Sequence, residues 1–388
     1  MMIRNRWPVF AEDEVTAVAR VLRSGKVNYW TGGEGRAFEQ EFAAATQCNH
    51  AIALANGTVA LELALAALNL PAGAEVIVTP RTFVASVSVV NRAGLTPVCA
   101  DVDLASGNIT AASIRAALSA NTRAILCVHL GGWPCDMPAI MALADEHQLA
   151  VIEDCAQAHG ARIDNRSVGS FGTIAAWSFC QDKIITTGGE GGMLTTNDAT
   201  LYERVWSMKD HGKNRARAEG SAERASFRWL HDSFGTNGRL TEPQAAIGRL
   251  QLKKLPTWTA RRDHIARRVL AACGASELLI APLPSARETN AWYRCCVRVN
   301  PTALKTDWCR DHLLFALQDA GVPCSGGSCS EVYREHAFAE TALANLSLPR
   351  AHLLGEQSMA FLVHPTLDDD EVDFICHTIQ MVIATATR

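Results

Sequence analysis

At 388 residues the chain exceeds the size at which one hydrophobic core normally stops growing, so a large domain with a smaller companion is expected. Basic residues number 36 against 40 acidic ones, the formal net charge is −4, and 48% of residues are hydrophobic. This is the balance of an ordinary soluble globule, and it excludes a general electrostatic attraction to nucleic acid or to an anionic membrane.

The opening MMIRNRWPVFAEDEV holds no apolar segment with a cleavage site, and no run of roughly 18 apolar residues follows it, so a cytoplasmic location is expected. The 13 cysteines, from Cys48 to Cys376, lack CxxC spacing and read as reduced thiols, most of them small core hydrophobes. Cys48 with His50, Cys127 with His129 and Cys135, and Cys324 with Cys329 match no standard zinc spacing, so no metal is expected.

From residue 51 short apolar runs alternate with helical patterns. AIALA (51–55) reads as a strand and VALELALAAL (59–68) as a helix; EVIVT (75–79) reads as a strand and VASVSVVNRAG (84–94) as a helix closed by glycine. PVCADV, RAILCVHL and LAVIED continue the strands, with PAIMALADEHQ the helix before the last. Continuous apolar strands separated by helices imply a parallel sheet covered on both faces, and hence an α/β fold. After Gln244 a long helical stretch, broken in this reading at Pro256, leads into a C-terminal domain; the division is set at 1–250 for the large domain and 251–388 for the small one.

Ligands of such sheets sit at the carboxyl ends of the strands. Those ends carry Asn56-Gly57-Thr58, Pro80-Arg81-Thr82-Phe83, His129-Leu130-Gly131-Gly132 and Asp154-Cys155-Ala156-Gln157. Gly57-Thr58-Val59 at a strand-to-helix junction suits an anion, although Thr58 equally reads as an ordinary N-cap. Asp154 either caps a loop or holds a protonated ring nitrogen, and Phe83 either covers a planar ligand or packs in the core. In SFCQDKIITTGGEGG, residues 178–192, the lysine precedes the glycines, so the segment is not a P-loop, and no GxGxxG fingerprint occurs. Lys183 instead lies between apolar residues, and reads either as an ordinary solvated surface lysine or as one whose pKa desolvation lowers, making it a nucleophile towards a carbonyl. An anion nest, an aromatic cover, a strand-end acid and a half-buried lysine together are what pyridoxal phosphate requires.

The ordered series EDxAQAHG, SFxxxK and GEGG, with SGKVNYWTGGEGRAFEQEFA, EVIVTPRTFVAS and GTNGRLTEPQAAIGRLQL, resembles the DegT/DnrJ/EryC1/StrS family of sugar aminotransferases. These are fold-type I pyridoxal-phosphate enzymes, with a mainly parallel seven-stranded sheet and a smaller C-terminal α+β domain, that aminate keto sugars carried on nucleoside diphosphates. The resemblance implies that Lys183 forms the Schiff base and moves the proton, that Asp154 pairs with the pyridine nitrogen, and that Gln157 bonds the ring hydroxyl. It further implies that Phe83 covers the ring, that Gly57, Thr58, Val59 and Ser178 cradle the phosphate, and that Asn237 reaches the phosphate of a neighbouring subunit in a homodimer with shared active sites. Glutamate as donor, cycling between pyridoxal and pyridoxamine phosphate, and a place in surface polysaccharide, lipopolysaccharide or related glycan biosynthesis are the family habit.

Two departures stand out: Gly238 where an aromatic residue often follows the asparagine, and Glu242-Pro243 where Asp-Ile is commoner. Relatives with histidine in place of the lysine act as dehydratases, so Lys183 favours transamination over a sugar dehydratase. An aminotransferase of a cyclitol ketone would use the same holds. A pyridoxal-binding regulator would carry a basic DNA-binding module that the near-neutral charge does not support. Asn28 to Gly32, His129 and His364 read either as pocket walls or as structural residues.

Overall fold

The computed structural model describes residues 3, 6–220 and 228–388. Strands β1 (His50–Leu54), β2 (Glu75–Val78), β3 (Thr96–Cys99), β4 (Thr122–Val128), β5 (Ala150–Asp154), β6 (Ile174–Ser178) and β7 (Gly192–Thr196) form one sheet in the order β1-β7-β6-β5-β4-β2-β3. Only β7 runs against its neighbours; the other six strands are mutually parallel. Successive side chains leave a strand on opposite faces, so Ala124, Leu126 and Val128 enter one core while Ile125 and Cys127 enter another. Burial on both faces is why these strands are apolar throughout rather than alternating. Their carboxyl ends converge on one edge of the sheet, with the residues that follow them.

The helix Glu242–Cys273 runs without interruption through Pro256, whereas the sequence reading breaks it there. Proline removes the N–H that the Leu252 carbonyl would accept. Tertiary packing outweighs that loss: Leu252, Leu255 and Trp258 lie against the core of Trp177 and Phe179. The Thr259 hydroxyl also donates to the carbonyls of Leu255 (3.0 Å) and Pro256 (3.1 Å).

Beyond this helix an antiparallel sheet of Leu279–Ile280, Cys295–Val299, Ser358–Phe361 and Cys324–Ser325 packs with the helices Arg310–Asp319 and Asp369–Ala386 around Ile265, Leu313, Met359 and Ile379. The chain returns to the first core at Val332, Tyr333, Phe338 and Leu343, which share a cluster with Leu126 and Ile152. All 13 cysteines are free thiols, and more than half are buried. Among the described residues no helix is long and apolar enough to cross a membrane.

Candidate active site

The helix Gly57–Leu68 begins where β1 ends, capped by Asn56, whose side-chain oxygen accepts the Val59 N–H at 2.9 Å. The sequence reading gave Val59 a share in an anion cradle; its N–H is instead engaged by this cap. The N–H groups of Gly57 and Thr58 have no partner within the helix. A β-carbon on Gly57 would stand 2.7 Å from the Ser178 β-carbon, so glycine is what lets the helix start touch the end of β6. Thr58 is exposed at this junction and Ser178 is buried. Gly192, the last glycine of GGEGG, is tighter still: a β-carbon there would lie 2.3 Å from the Asn56 carbonyl oxygen. The glycines of the 188–192 turn therefore allow β7 to begin flush against the helix start.

Asp154 closes β5 and is buried. One carboxylate oxygen accepts the Ser86 hydroxyl at 2.8 Å and the other accepts the Ala156 N–H at 3.1 Å. Since the Ser86 proton is committed to Asp154, the Thr82 hydroxyl 2.8 Å away donates to Ser86. Burial pushes the Asp154 pKa up, opposed by the Ala156 N–H, Ser86 and the Lys183 charge. Phe83, beside Thr82, is 68% exposed, which removes the core reading and leaves the ring open to a ligand or a partner. Gln157 accepts the Gly131 N–H at 2.7 Å, and the Gly131 carbonyl in turn accepts the Arg294 N–H at 3.1 Å. The turn after β4 thus ties the strand-end residues to the C-terminal half of the chain.

Lys183 lies in the turn after β6, its side chain 16% exposed, with Ile184 and Ile185 buried behind it. Its ammonium is 3.5 Å from the Tyr293 hydroxyl and 3.6 Å from an Asp182 carboxylate oxygen, and the Tyr293 hydroxyl donates to Asp182. Desolvation pulls the Lys183 pKa down, as the sequence reading expects, but Tyr293, Asp182 and Asp154 outweigh it and the net shift is upward. That is a correction: the reading weighed the apolar flank of Lys183, whereas its adjacent Asp182 and, from elsewhere in the chain, Tyr293 and Asp154 favour the charged form. Trp7 donates its indole N–H to the Lys183 carbonyl at 2.9 Å. Trp7, Tyr293 and Arg294 escape sequence reasoning because they belong to no local motif, and Ser86, though inside EVIVTPRTFVAS, faces Asp154 only in the folded chain.

His129 is fully buried and structural. Its Nδ1 accepts the Cys135 N–H at 3.0 Å, which leaves the ring proton on Nε2, 3.1 Å from Glu153. Glu153 also accepts the N–H groups of Gly169 (2.8 Å), Phe171 (2.9 Å) and Gly172 (2.7 Å). His129, Glu153 and Cys155 stand close enough together to suit a cation, but with the carboxylate so occupied they brace the loop after β5. Cys324 and Cys329 take no part in that cluster.

Tyr29 is buried, bonded to Glu39 at 2.9 Å, and the Trp30 indole donates to Asp210 at 2.6 Å. His364 is buried against Trp7, with ring centroids 6.0 Å apart. Asn237 is exposed, its backbone bridged to Asp210, while Gly238 packs on Val59 and its carbonyl accepts the Ala55 N–H at 2.8 Å. The Glu242 departure has a structural use: its carboxylate accepts the N–H groups of Glu34 (2.6 Å) and Gly35 (3.1 Å), where the helix Glu34–Thr46 starts.

The family model for the DegT/DnrJ/EryC1/StrS aminotransferase family matches residues 8–380. An aminotransferase of Psychrobacter cryohalolentis, solved by X-ray crystallography, superimposes with a TM-score of 0.96 at 53% identity, over 98% of this chain and 99% of that one. The dTDP-3-amino-3,4,6-trideoxy-alpha-D-glucose transaminase of Streptomyces venezuelae is 34% identical over 91% of this chain and 87% of its own length. The UDP-N-acetyl-3-dehydro-alpha-D-glucosamine 3-aminotransferase of Acidithiobacillus ferrooxidans is 32% identical over 98% of this chain and 96% of its own. The architecture is that of fold-type I aminotransferases, and the chain belongs to the DegT/DnrJ/EryC1/StrS aminotransferase family.

Proposed function

We propose that the protein transfers an amino group from glutamate to the ketone of a deoxysugar linked to a nucleoside diphosphate, releasing 2-oxoglutarate and the amino sugar, as a cytoplasmic step of glycan biosynthesis. The observation that carries this reading is the half-buried Lys183 at the same sheet edge as the buried Asp154 and the open helix start at Gly57.

These residues fit pyridoxal phosphate. Gly57 and Thr58 offer N–H groups to a phosphate, with the Thr58 and Ser178 hydroxyls beside them. Asp154, held by Ser86 and Ala156 with lone pairs to spare, suits a protonated ring nitrogen, which its charge keeps protonated. Gln157, fixed by Gly131, suits the ring hydroxyl through its amide, and the exposed Phe83 ring suits the cofactor face. Bound there, the cofactor supplies the electron sink for breaking a bond at the donor's α-carbon.

Lys183 holds and moves the proton at its Nζ. Tyr293 and Asp182 keep that nitrogen charged until a substrate arrives. Residues of the C-terminal domain, from about residue 251, wall the site through the Gly131 to Arg294 contact and limit water. The exposed Asn237 and Phe83 suit a second copy of the chain, with Asn237 completing the partner's phosphate cradle. Incubating the holoenzyme with glutamate and a panel of dTDP- and UDP-linked 3-keto and 4-keto sugars, with mass spectrometry of the products, tests the reading. A product heavier by one mass unit than the ketone supports it, and turnover with none of the panel under any amino donor counts against it.

A further inference from the structure

The Lys183 ammonium already has acidic neighbours, yet a second cation stands beside it. Arg294 is half-buried just before the strand Cys295–Val299, and its backbone N–H is anchored on Gly131 at 3.1 Å. Its guanidinium lies 4.2 Å from the centroid of the Tyr293 ring and donates to the Tyr293 carbonyl at 3.1 Å and to the Tyr293 hydroxyl at 3.5 Å. Among the described residues it forms no ion pair.

Behind it, Arg262 is fully buried with Nε and Nη2 unpartnered, its third nitrogen on the Trp292 carbonyl at 3.3 Å. Burial and the neighbouring Arg294 charge push the Arg262 pKa down to about 9. The carboxylate that feels the Arg294 charge, Asp182, is already shared with Lys183 and Tyr293, and among the described residues neither guanidinium forms an ion pair, so this wall carries positive charge that a bound anion would answer.

We propose that Arg294 is the anchor for the α-carboxylate of the amino-acid donor, and so the residue that makes an amino acid, rather than a simple amine, the donor. The inference rests on the transaminase reading above and adds a residue to it. Lys183 Nζ and an Arg294 Nη both lie 3.5 Å from the Tyr293 hydroxyl, so the two nitrogens are at most twice that distance apart. In an α-amino acid a carboxylate oxygen lies roughly 3 Å from the amino nitrogen, and a charge-assisted bond from an arginine adds roughly 2.8 Å. A span of roughly 6 Å falls inside that limit, so an amine at the position of the Lys183 nitrogen can bring its own carboxylate to Arg294.

A guanidinium presents two parallel N–H groups to a carboxylate, which orients the α-carbon as well as binding it. The diphosphate of a sugar nucleotide is a poorer match, because the sugar ring separates it from the reacting ketone.

Arg294→Gln and Arg294→Lys test this by two readouts in the pyridoxal-phosphate holoenzyme. The first is the conversion of bound cofactor by glutamate alone in a single turnover, followed by absorbance. Half-saturating glutamate is expected to rise roughly 30-fold or more in Arg294→Gln and clearly less in Arg294→Lys, which keeps the charge. The second is calorimetric binding of glutarate, a dicarboxylate without an amine, which is expected to weaken in the same order. Unchanged glutamate saturation and unchanged glutarate affinity in Arg294→Gln, with its melting temperature and cofactor absorbance intact, would overturn the proposal. If wild-type enzyme converts its cofactor with no amino acid at all, the transaminase reading itself has failed, a different result.

Discussion

The indole N–H of Trp7 donates a 2.9 Å hydrogen bond to the main-chain carbonyl of Lys183, across 176 positions of sequence. The same indole meets Trp258 edge-on with centroids 5.1 Å apart, and the Arg262 guanidinium sits 5.1 Å from its ring. The N-terminal segment thereby holds the lysine turn against the long helix. Trp7→Phe keeps most of the packing and removes the donor, a loss of about 1 kcal/mol. The expected outcome is a cofactor dissociation constant raised about fivefold, measured by titrating apoenzyme with pyridoxal phosphate. An unchanged constant would show that the bond does not steady Lys183.

Gly192→Ala forces a methyl group to within 2.3 Å of the Asn56 carbonyl oxygen, and main chain there has little room to yield. A loss of about 1–3 kcal/mol, read as a lowered melting temperature, is expected, together with weaker phosphate binding because Asn56 caps the Gly57 helix. Gly33, where an added β-carbon meets nothing within 4 Å and φ is −136°, is the control, and Gly33→Ala should come close to neutral.

Two buried imidazoles set the response to acid. Burial, with the Lys183 and Arg262 charges, pushes the His159 pKa down to about 3, and burial with Arg262 and Arg294 does the same for His364. Both ring nitrogens of His159 lack a partner, so the neutral form is the one the interior accepts. Below about pH 6.5 the unfolded chain takes up these protons and the folded chain does not. Their contribution is complete above that pH and falls as pH drops towards 3, at about 1.4 kcal/mol per unit for each histidine. His159→Phe should therefore show a shallower fall of melting temperature between pH 7 and pH 5 than wild type. Parallel slopes would contradict this assignment.

A shared active site predicts complementation. Lys183→Ala and Asn237→Ala, each inactive or nearly so alone, should regain activity when mixed under conditions that exchange subunits, because one site of each mixed dimer is then intact. Light scattering supplies the companion measurement, a particle of twice the 41.9 kDa chain mass. No recovery after proven exchange would place Asn237 in its own subunit's site.

Much of the sheet is legible because its strands are buried on both faces, which writes them as unbroken apolar runs ending at AIAL, AILCV and AVIED. The residues just past those runs, Gly57, Phe83, Asp154 and Gln157, are legible for the same reason, since topology puts every parallel strand's end on one edge. The reversed strand Gly192–Thr196 is harder to read: GMLTT is short, and its pairing with both His50–Leu54 and Ile174–Ser178 depends on glycine contacts across the sheet. Pro256 misleads because local propensity yields to packing against Trp177 and Phe179. Tyr293, Arg294 and Trp7 reach Lys183 from over 100 residues away, and only the folded chain brings them there.

The central claim is that Lys183 bonds the cofactor. The direct measurement is to reduce the enzyme with borohydride in the presence of pyridoxal phosphate, digest it, and map the added mass by tandem mass spectrometry. The account predicts the adduct on the peptide spanning SFCQDKIITTGGEGG, at Lys183, and its disappearance in Lys183→Ala. An adduct confined to any other lysine, or none in an enzyme that still transaminates, would contradict it.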